Sequence, residues 1–306
     1  MSSYRIVSLD GGGIRGVLTA CLLERLEALR PGFLKQVDLF AGSSTGGVLA
    51  LGLASGISPG EARQRYEQCS HAVFRDSLFD DLLDLGQLVG AQYSLEPLAQ
   101  LLAEQFGEAT LDDLPRRVLI SSFDLDNQKL APGQLRAWKA KFFHNFPGED
   151  SDGSEKIVDV AQRTAAAPTF FPIYQGYVDG GVVANNPAMC ALAQALHPAT
   201  GGQSLGEVRL LSLGTGLNQK FLASEDGDWG LAQWAPHLIN LLLEGSQGLV
   251  DYQCRQILPD RYLRINPVLP VRIRLDGLEQ VGLLKAIAAQ FDLNPALHWL
   301  DEVYLM

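Results

Sequence analysis

Tyr4 to Leu9 is a short apolar run with no helical period, stopped by Asp10-Gly11-Gly12-Gly13, and predicts a buried strand ending in a glycine turn. A helix is expected from Ile14 to about Leu29. The run Val37 to Ala41 predicts a second strand, which enters Gly42-Ser43-Ser44-Thr45-Gly46-Gly47 and then a small-residue helix from Val48 to Ala54. The unit of strand, glycine turn and helix therefore occurs twice. Ser58-Pro59 with Glu61 supplies an N-cap and a first-turn proline for a helix to about Val73, and Ser94 opens another through Phe106.

Further strands are expected over Arg117 to Phe123, Trp138 to Phe143 and Glu207 to Leu213, with helices over Val158 to Ala165 and Pro187 to Leu196. Asp124 to Gly133 and Pro147 to Ser154 read as loops, the second as the best candidate for a mobile segment. Past Gly216 the pattern becomes mainly helical, from Trp229 to about Ile257 and from Leu278 to Phe291, around a short strand at Tyr262 to Ile265. Strands alternating with helices predict an α/β protein with a mostly parallel sheet covered by helices on both faces, its ligand beyond the carboxyl ends of the strands. We expect a catalytic domain over residues 4–216, with residues 217–306 as an extension packed on it.

Composition narrows the setting. Hydrophobic residues make up 47% of 306, enough for a sizeable core. The net charge of −11 argues against nucleic acid as a partner and against electrostatic docking on an anionic bilayer, so a lipid partner must be met through apolar contact. The four cysteines, Cys21, Cys69, Cys190 and Cys254, are far apart and read as buried thiols without metal-ligand spacing. No apolar run approaches the roughly 20 residues that span a bilayer, and no secretory core precedes Asp10, so a cytoplasmic protein with peripheral membrane contact is expected.

Gly42-Ser43-Ser44-Thr45-Gly46 fits the G-x-S-x-G elbow, which places a nucleophilic serine on a sharp turn between strand and helix. In a chain with 31 glycines the pentapeptide alone is weak; its position after a strand and before a helix strengthens it. Asp10 to Gly16 has the spacing G-x-G-x-x-G, which also suits a dinucleotide. That reading requires an acidic residue at the end of the second strand, where the chain instead runs into Gly42-Ser43-Ser44; Asp38 stands at the strand's beginning. The same glycines suit an oxyanion hole, with backbone N–H groups of Gly11, Gly12 and Gly13 as candidates and Gly12 and Gly13 foremost. Arg15 either adds positive potential toward a phosphate or is an ordinary exposed helix residue. The order Ser44, Asp179, then His197, His237 or His298 mimics a Ser-Asp-His triad, but only two strands precede Ser44, too few for the α/β-hydrolase arrangement.

Taken together, Asp10-Gly-Gly-Gly-Ile-Arg-Gly16, Gly42-Ser-Ser-Thr-Gly-Gly47 and Asp179-Gly180-Gly181 resemble the three ordered signatures of the patatin-like phospholipases. Ala165-Ala-Ala-Pro-Thr-Phe-Phe-Pro172 and Leu211-Ser-Leu-Gly-Thr-Gly216 are similar to two lesser segments of that family. The resemblance covers about Tyr4 to Gly216. It implies a three-layer sandwich and a Ser-Asp dyad without histidine, Ser44 as nucleophile and Asp179 as general base. It further implies an oxyanion hole from the first glycine loop, phospholipid or another acyl-ester lipid as substrate, and no cofactor or metal. Asp10, Arg15, Gly16, Gly42, Gly46, Gly180 and Gly181 would support these motifs.

A carboxylate of ordinary basicity is a poor base for a hydroxyl, so Asp179 is expected within about 3 Å of Ser44 in a partly dry site. Phe170, Phe171, Pro172 and Tyr174 are candidates for an acyl channel, against a plainer role in core packing. Acyl transfer from the same serine is the nearest alternative chemistry. An effector whose lipase is switched on by a ligand or partner, with residues 217–306 as the responsive part, is another.

Overall fold

The computed structural model describes residues 3–75, 90–128, 133, 135–219, 222 and 227–306. Residues 129–132 of the loop expected after Asp124 lie outside the described residues. The strands are β1 (Tyr4–Leu9), β2 (Leu39–Ser43), β3 (Arg117–Asp124), β4 (Lys139–His144), β5 (Tyr177–Asp179), β6 (Val208–Leu213), β7 (Leu217–Asn218), β8 (Tyr262–Ile265) and β9 (Val268–Leu269). The helices are α1 (Gly16–Leu29), α2 (Thr45–Ala54), α3 (Pro59–Arg75), α4 (Glu96–Phe106), α5 (Ile157–Ala165), α6 (Gly181–Ala184), α7 (Ala188–Leu196), α8 (Leu231–Ile257), α9 (Val281–Gln290) and α10 (Asn294–Trp299).

Among the described residues, the main sheet runs β4-β3-β2-β1-β6-β8, with β5 paired to β3. The four contacts among β3, β2, β1, β6 and β8 are parallel, while β4 and β5 are antiparallel to β3. Alternation along each strand divides the core between two faces. Val7, Phe40, Ile120 and Leu211 pack with α1, α2 and α9 on one side. Their neighbours Ile6, Leu39, Leu119 and Leu210 pack on the other side against Ala188, Ala191 and Leu192 of α7 and Cys254 of α8. Both faces being covered explains why the strands read as continuous apolar runs.

Several boundaries moved. The first helix begins with a single 3-10 turn at Gly13–Arg15, and the last long helix is α9 preceded by another at Leu278–Gln280. The stretch expected to be mobile is tied down: Asp152 accepts from the His144 N–H at 3.1 Å and pairs with Lys141. All four cysteines are free thiols; Cys21 and Cys254 are buried, whereas Cys69 and Cys190 are only half-buried.

The register of β3 explains the layout of the carboxyl edge. Opposite β4, the second edge of β3 is shared by β2, which ends with Ser43 beside Ser121, and by β5, which ends with Asp179 beside Ser122. Two chains running in opposite directions thus finish against adjacent residues of one strand, and whatever follows Ser43 meets Asp179.

Candidate active site

Ser44 follows β2 with φ 53 and ψ −127, left-handed backbone that an L-residue adopts only under constraint. Neighbouring contacts impose it. A Cβ on Gly42 would stand 2.3 Å from the Gly46 carbonyl oxygen, and one on Gly46 would stand 2.3 Å from that of Leu9. Only glycine lets the strand end, the helix start and β1 approach this closely. The Ser44 N–H is held at 2.8 Å by Thr164 Oγ1, whose own hydroxyl donates to the Ser121 carbonyl at 2.6 Å.

The Ser44 side chain lies beside the carboxylate of Asp179, which is 2% exposed and accepts from the Gly181 N–H at 2.6 Å. Burial drives the Asp179 pKa up to about 6; the neighbouring Ser44 hydroxyl and the hydrogen bond from Gly181 pull the other way and only partly offset it. A buried carboxylate of that basicity can receive a serine proton near neutrality, which an ordinary aspartate does poorly. Gly180 caps α6 and Gly181 is its first residue.

The first glycine loop lies against Ser44: a Cβ on Gly11 would be 3.0 Å from Ser44 Cβ. The Gly11 N–H is already committed to the Asn185 carbonyl at 3.0 Å, which removes it from the set of oxyanion donors expected from the motif. Among the described residues, the Gly12 and Gly13 N–H groups have no protein acceptor, and both residues face the same cleft as Ser44. The loop is clamped from several directions. Asn185 Nδ2 and Thr215 Oγ1 donate to the Gly11 carbonyl at 3.3 and 3.1 Å, and the Ile14 N–H donates to the Leu275 carbonyl at 2.7 Å. Asp10 is fully buried and paired with Arg264 of β8 at 2.5 Å, and Arg264 also donates to Ser212 Oγ at 2.7 Å.

Arg15 is no exposed helix arginine. It is 2% exposed, donates to the Gly12 carbonyl at 3.4 Å and pairs with Glu244 of α8 at 3.2 Å on the cleft wall. Gly16 opens α1 behind it. Thr164, Asn185 and Arg264 escaped the sequence reading; each acts across more than 100 residues, and nothing local marks it.

The cleft above Ser44 and Asp179 has a cavity volume of about 130 Å³ and is predominantly apolar, with Val48, Leu98, Leu102, Phe170, Phe171 and Leu243 among its walls. Phe170 and Phe171 therefore share the cleft with Ser44. Pro172 and Tyr174 do not line it, and the Tyr174 hydroxyl instead donates to Asp159 at 2.7 Å. None of the three histidines considered as triad members lines the cleft: His197 caps α7, His237 stacks on Trp229 and His298 pairs with Glu302.

The family model described as Patatin-like phospholipase matches residues 7–192. The chain is 30% identical to the "Putative sporulation hydrolase CotR" of Bacillus subtilis, the match covering 99% of this chain and 98% of that one. It is 32% identical to a "cGAMP-activated phospholipase" of Pseudomonas aeruginosa, covering 86% of this chain and 78% of the relative. With "Patatin-like protein 2" of Arabidopsis thaliana it shares 30% identity over 81% of this chain and 70% of the relative.

Proposed function

The chain belongs to the patatin-like phospholipase family, and from that premise we propose that it hydrolyses fatty acyl esters of phospholipids through Ser44 and Asp179. The observation that carries this reading is Ser44 set beside a buried carboxylate of raised pKa in an apolar cleft. In the first half-reaction Ser44 Oγ attacks the ester carbonyl while its proton passes to Asp179. The developing oxyanion accepts from the Gly12 and Gly13 N–H groups, donors already fixed by the clamps on their loop, so little reorganisation accompanies charge development. As the carbon–oxygen bond breaks, Asp179 returns the proton to the departing alcohol, leaving an acyl-serine. Water then attacks that acyl group, gives its proton to Asp179, and the fatty acid leaves with Ser44 reprotonated.

Free fatty acid release from mixed phospholipid vesicles is the deciding measurement, with Ser44→Ala and Asp179→Asn beside the wild type. Loss of release in both variants supports the dyad; release that survives Ser44→Ala refutes it. Adding a small alcohol acceptor distinguishes hydrolysis from acyl transfer by the ester it yields.

A second reading concerns control. Relatives from Pseudomonas aeruginosa and Vibrio cholerae carry the name "cGAMP-activated phospholipase". In this chain Glu244 of α8 pairs with the cleft-lining Arg15, a link through which a ligand bound at α8 would act on the site. Vesicle hydrolysis that rises on addition of the cyclic dinucleotide supports this reading, and an unchanged rate removes that ligand.

A further inference from the structure

Among the described residues, helix α8 has one side that no other element covers. Leu231, Leu238, Leu241, Leu242, Leu249 and Tyr252 are all exposed, several of them by more than half: 79% at Leu231, 58% at Leu249 and 63% at Tyr252. At about 100° per residue these positions fall in one stripe roughly 100° wide. Leu243 and Cys254, which are buried, point away from it. The formal charges of the helix, Glu244, Asp251 and Arg255, also lie outside the stripe, and Gly245 and Gly248 keep its relief low. At the helix start the exposed ring of Trp234 packs edge-on against Trp229 at 5.2 Å, so aromatic rings stand near both ends of the leucine row. Leucines between aromatic rings, with charges displaced to the flanks, suit an amphipathic helix lying in a membrane interface.

The opposite side of the same helix faces the cleft. The same helix gives Leu243 to the wall shared with Ser44 and Asp179, and Glu244 to Arg15.

We propose that this face of α8 is the surface by which the protein lies on a zwitterionic phospholipid bilayer, which sets the helix that walls the Ser44 cleft at the lipid interface. The proposal rests on the lipid-ester reading of the site. Its chemistry is apolar: the stripe offers no cation to an anionic headgroup, and the net charge of −11 opposes one. The exposed leucines enter the acyl boundary while Trp229, Trp234 and Tyr252 sit at headgroup level.

Docking is read without turnover by flotation of the Ser44→Ala protein with phosphatidylcholine vesicles. That parent floats, with a partition that added salt does not weaken. Leu241→Ser/Leu242→Ser/Leu249→Ser on the same background lowers the partition about a hundredfold or more, as expected when several leucines lose their burial. In the otherwise wild-type protein, the triple change depresses vesicle hydrolysis but leaves turnover of a monomeric short-chain ester intact, with an unchanged near-ultraviolet spectrum as proof of folding. A parent that does not float, or a triple variant that floats equally well, overturns the proposal. So does equal loss on the monomeric ester, or a dimeric parent that the triple change dissociates, since a second copy would then cover the stripe. If the wild type hydrolyses neither substrate while flotation still depends on the three leucines, docking stands and the hydrolase reading falls.

Discussion

Replacing Asp179 by asparagine removes the proposed base while keeping its size and its ability to accept the Gly181 N–H, so it separates catalysis from folding. A carboxyl group whose pKa rises from 3.8 to about 6 on folding binds its proton more tightly in the folded state. Below 3.8 both states are protonated and the group costs nothing. Between 3.8 and about 6 the unfolded chain ionises while the folded one resists, so stability falls as pH rises. Above that window the full cost is about 3 kcal/mol, from about 1.4 kcal/mol for each tenfold change in proton affinity. Asp179→Asn escapes this cost. Its melting temperature relative to wild type should therefore climb by roughly 6 °C between pH 4 and pH 7.5, at about 2 °C per kcal/mol for a chain of this size. Differential scanning calorimetry of both proteins across that range measures it, and ester turnover should be lost in the variant throughout. The wild type should show an acid limb with its midpoint near 6, leaving about one tenth of the plateau rate at pH 5. A melting difference that ignores pH, or that turns against asparagine toward neutrality, would mean that the carboxylate is not penalised by its surroundings, and the argument for its basicity would fail.

Thr164→Val should lower stability by about 2–4 kcal/mol in urea, because it strands the Ser44 N–H and the Ser121 carbonyl in a dry interior, and should reduce kcat more than it raises KM. Arg264→Leu leaves the buried Asp10 carboxylate without its partner, and a loss of about 3–5 kcal/mol is expected, shrinking at acid pH as Asp10 takes a proton; a loss equal at every pH would contradict this. In Gly12→Ala the added carbon would meet Thr215 Oγ1 at 2.2 Å, which should displace the loop and cut kcat about a hundredfold or more in a short-chain ester assay. His197→Ala and His237→Ala should each retain wild-type turnover; a large loss in either would restore a histidine to the chemistry.

Local rules made much of this protein readable. The strand, glycine turn and helix units at Tyr4–Leu29 and Leu39–Ala54 are written in short-range patterns, since a buried strand needs an apolar run and a sharp turn needs residues without side chains. Ser44 and the Gly12-Gly13 pair were legible for that reason. Asp179 was legible only as part of a motif: β5 is three residues long, too short for any period, and its placement depends on the edge of β3 that β2 leaves open beyond Ser121. Its raised pKa comes from burial, which no sequence pattern states. Thr164, Asn185 and Arg264 likewise matter through hydrogen bonds to residues 120, 174 and 254 positions away. The stripe on α8 divides in the same way. Its helical spacing is in the sequence, but an apolar row ordinarily turns toward the core, and only packing decides that Leu243 and Cys254 face inward while the leucine row is left to solvent.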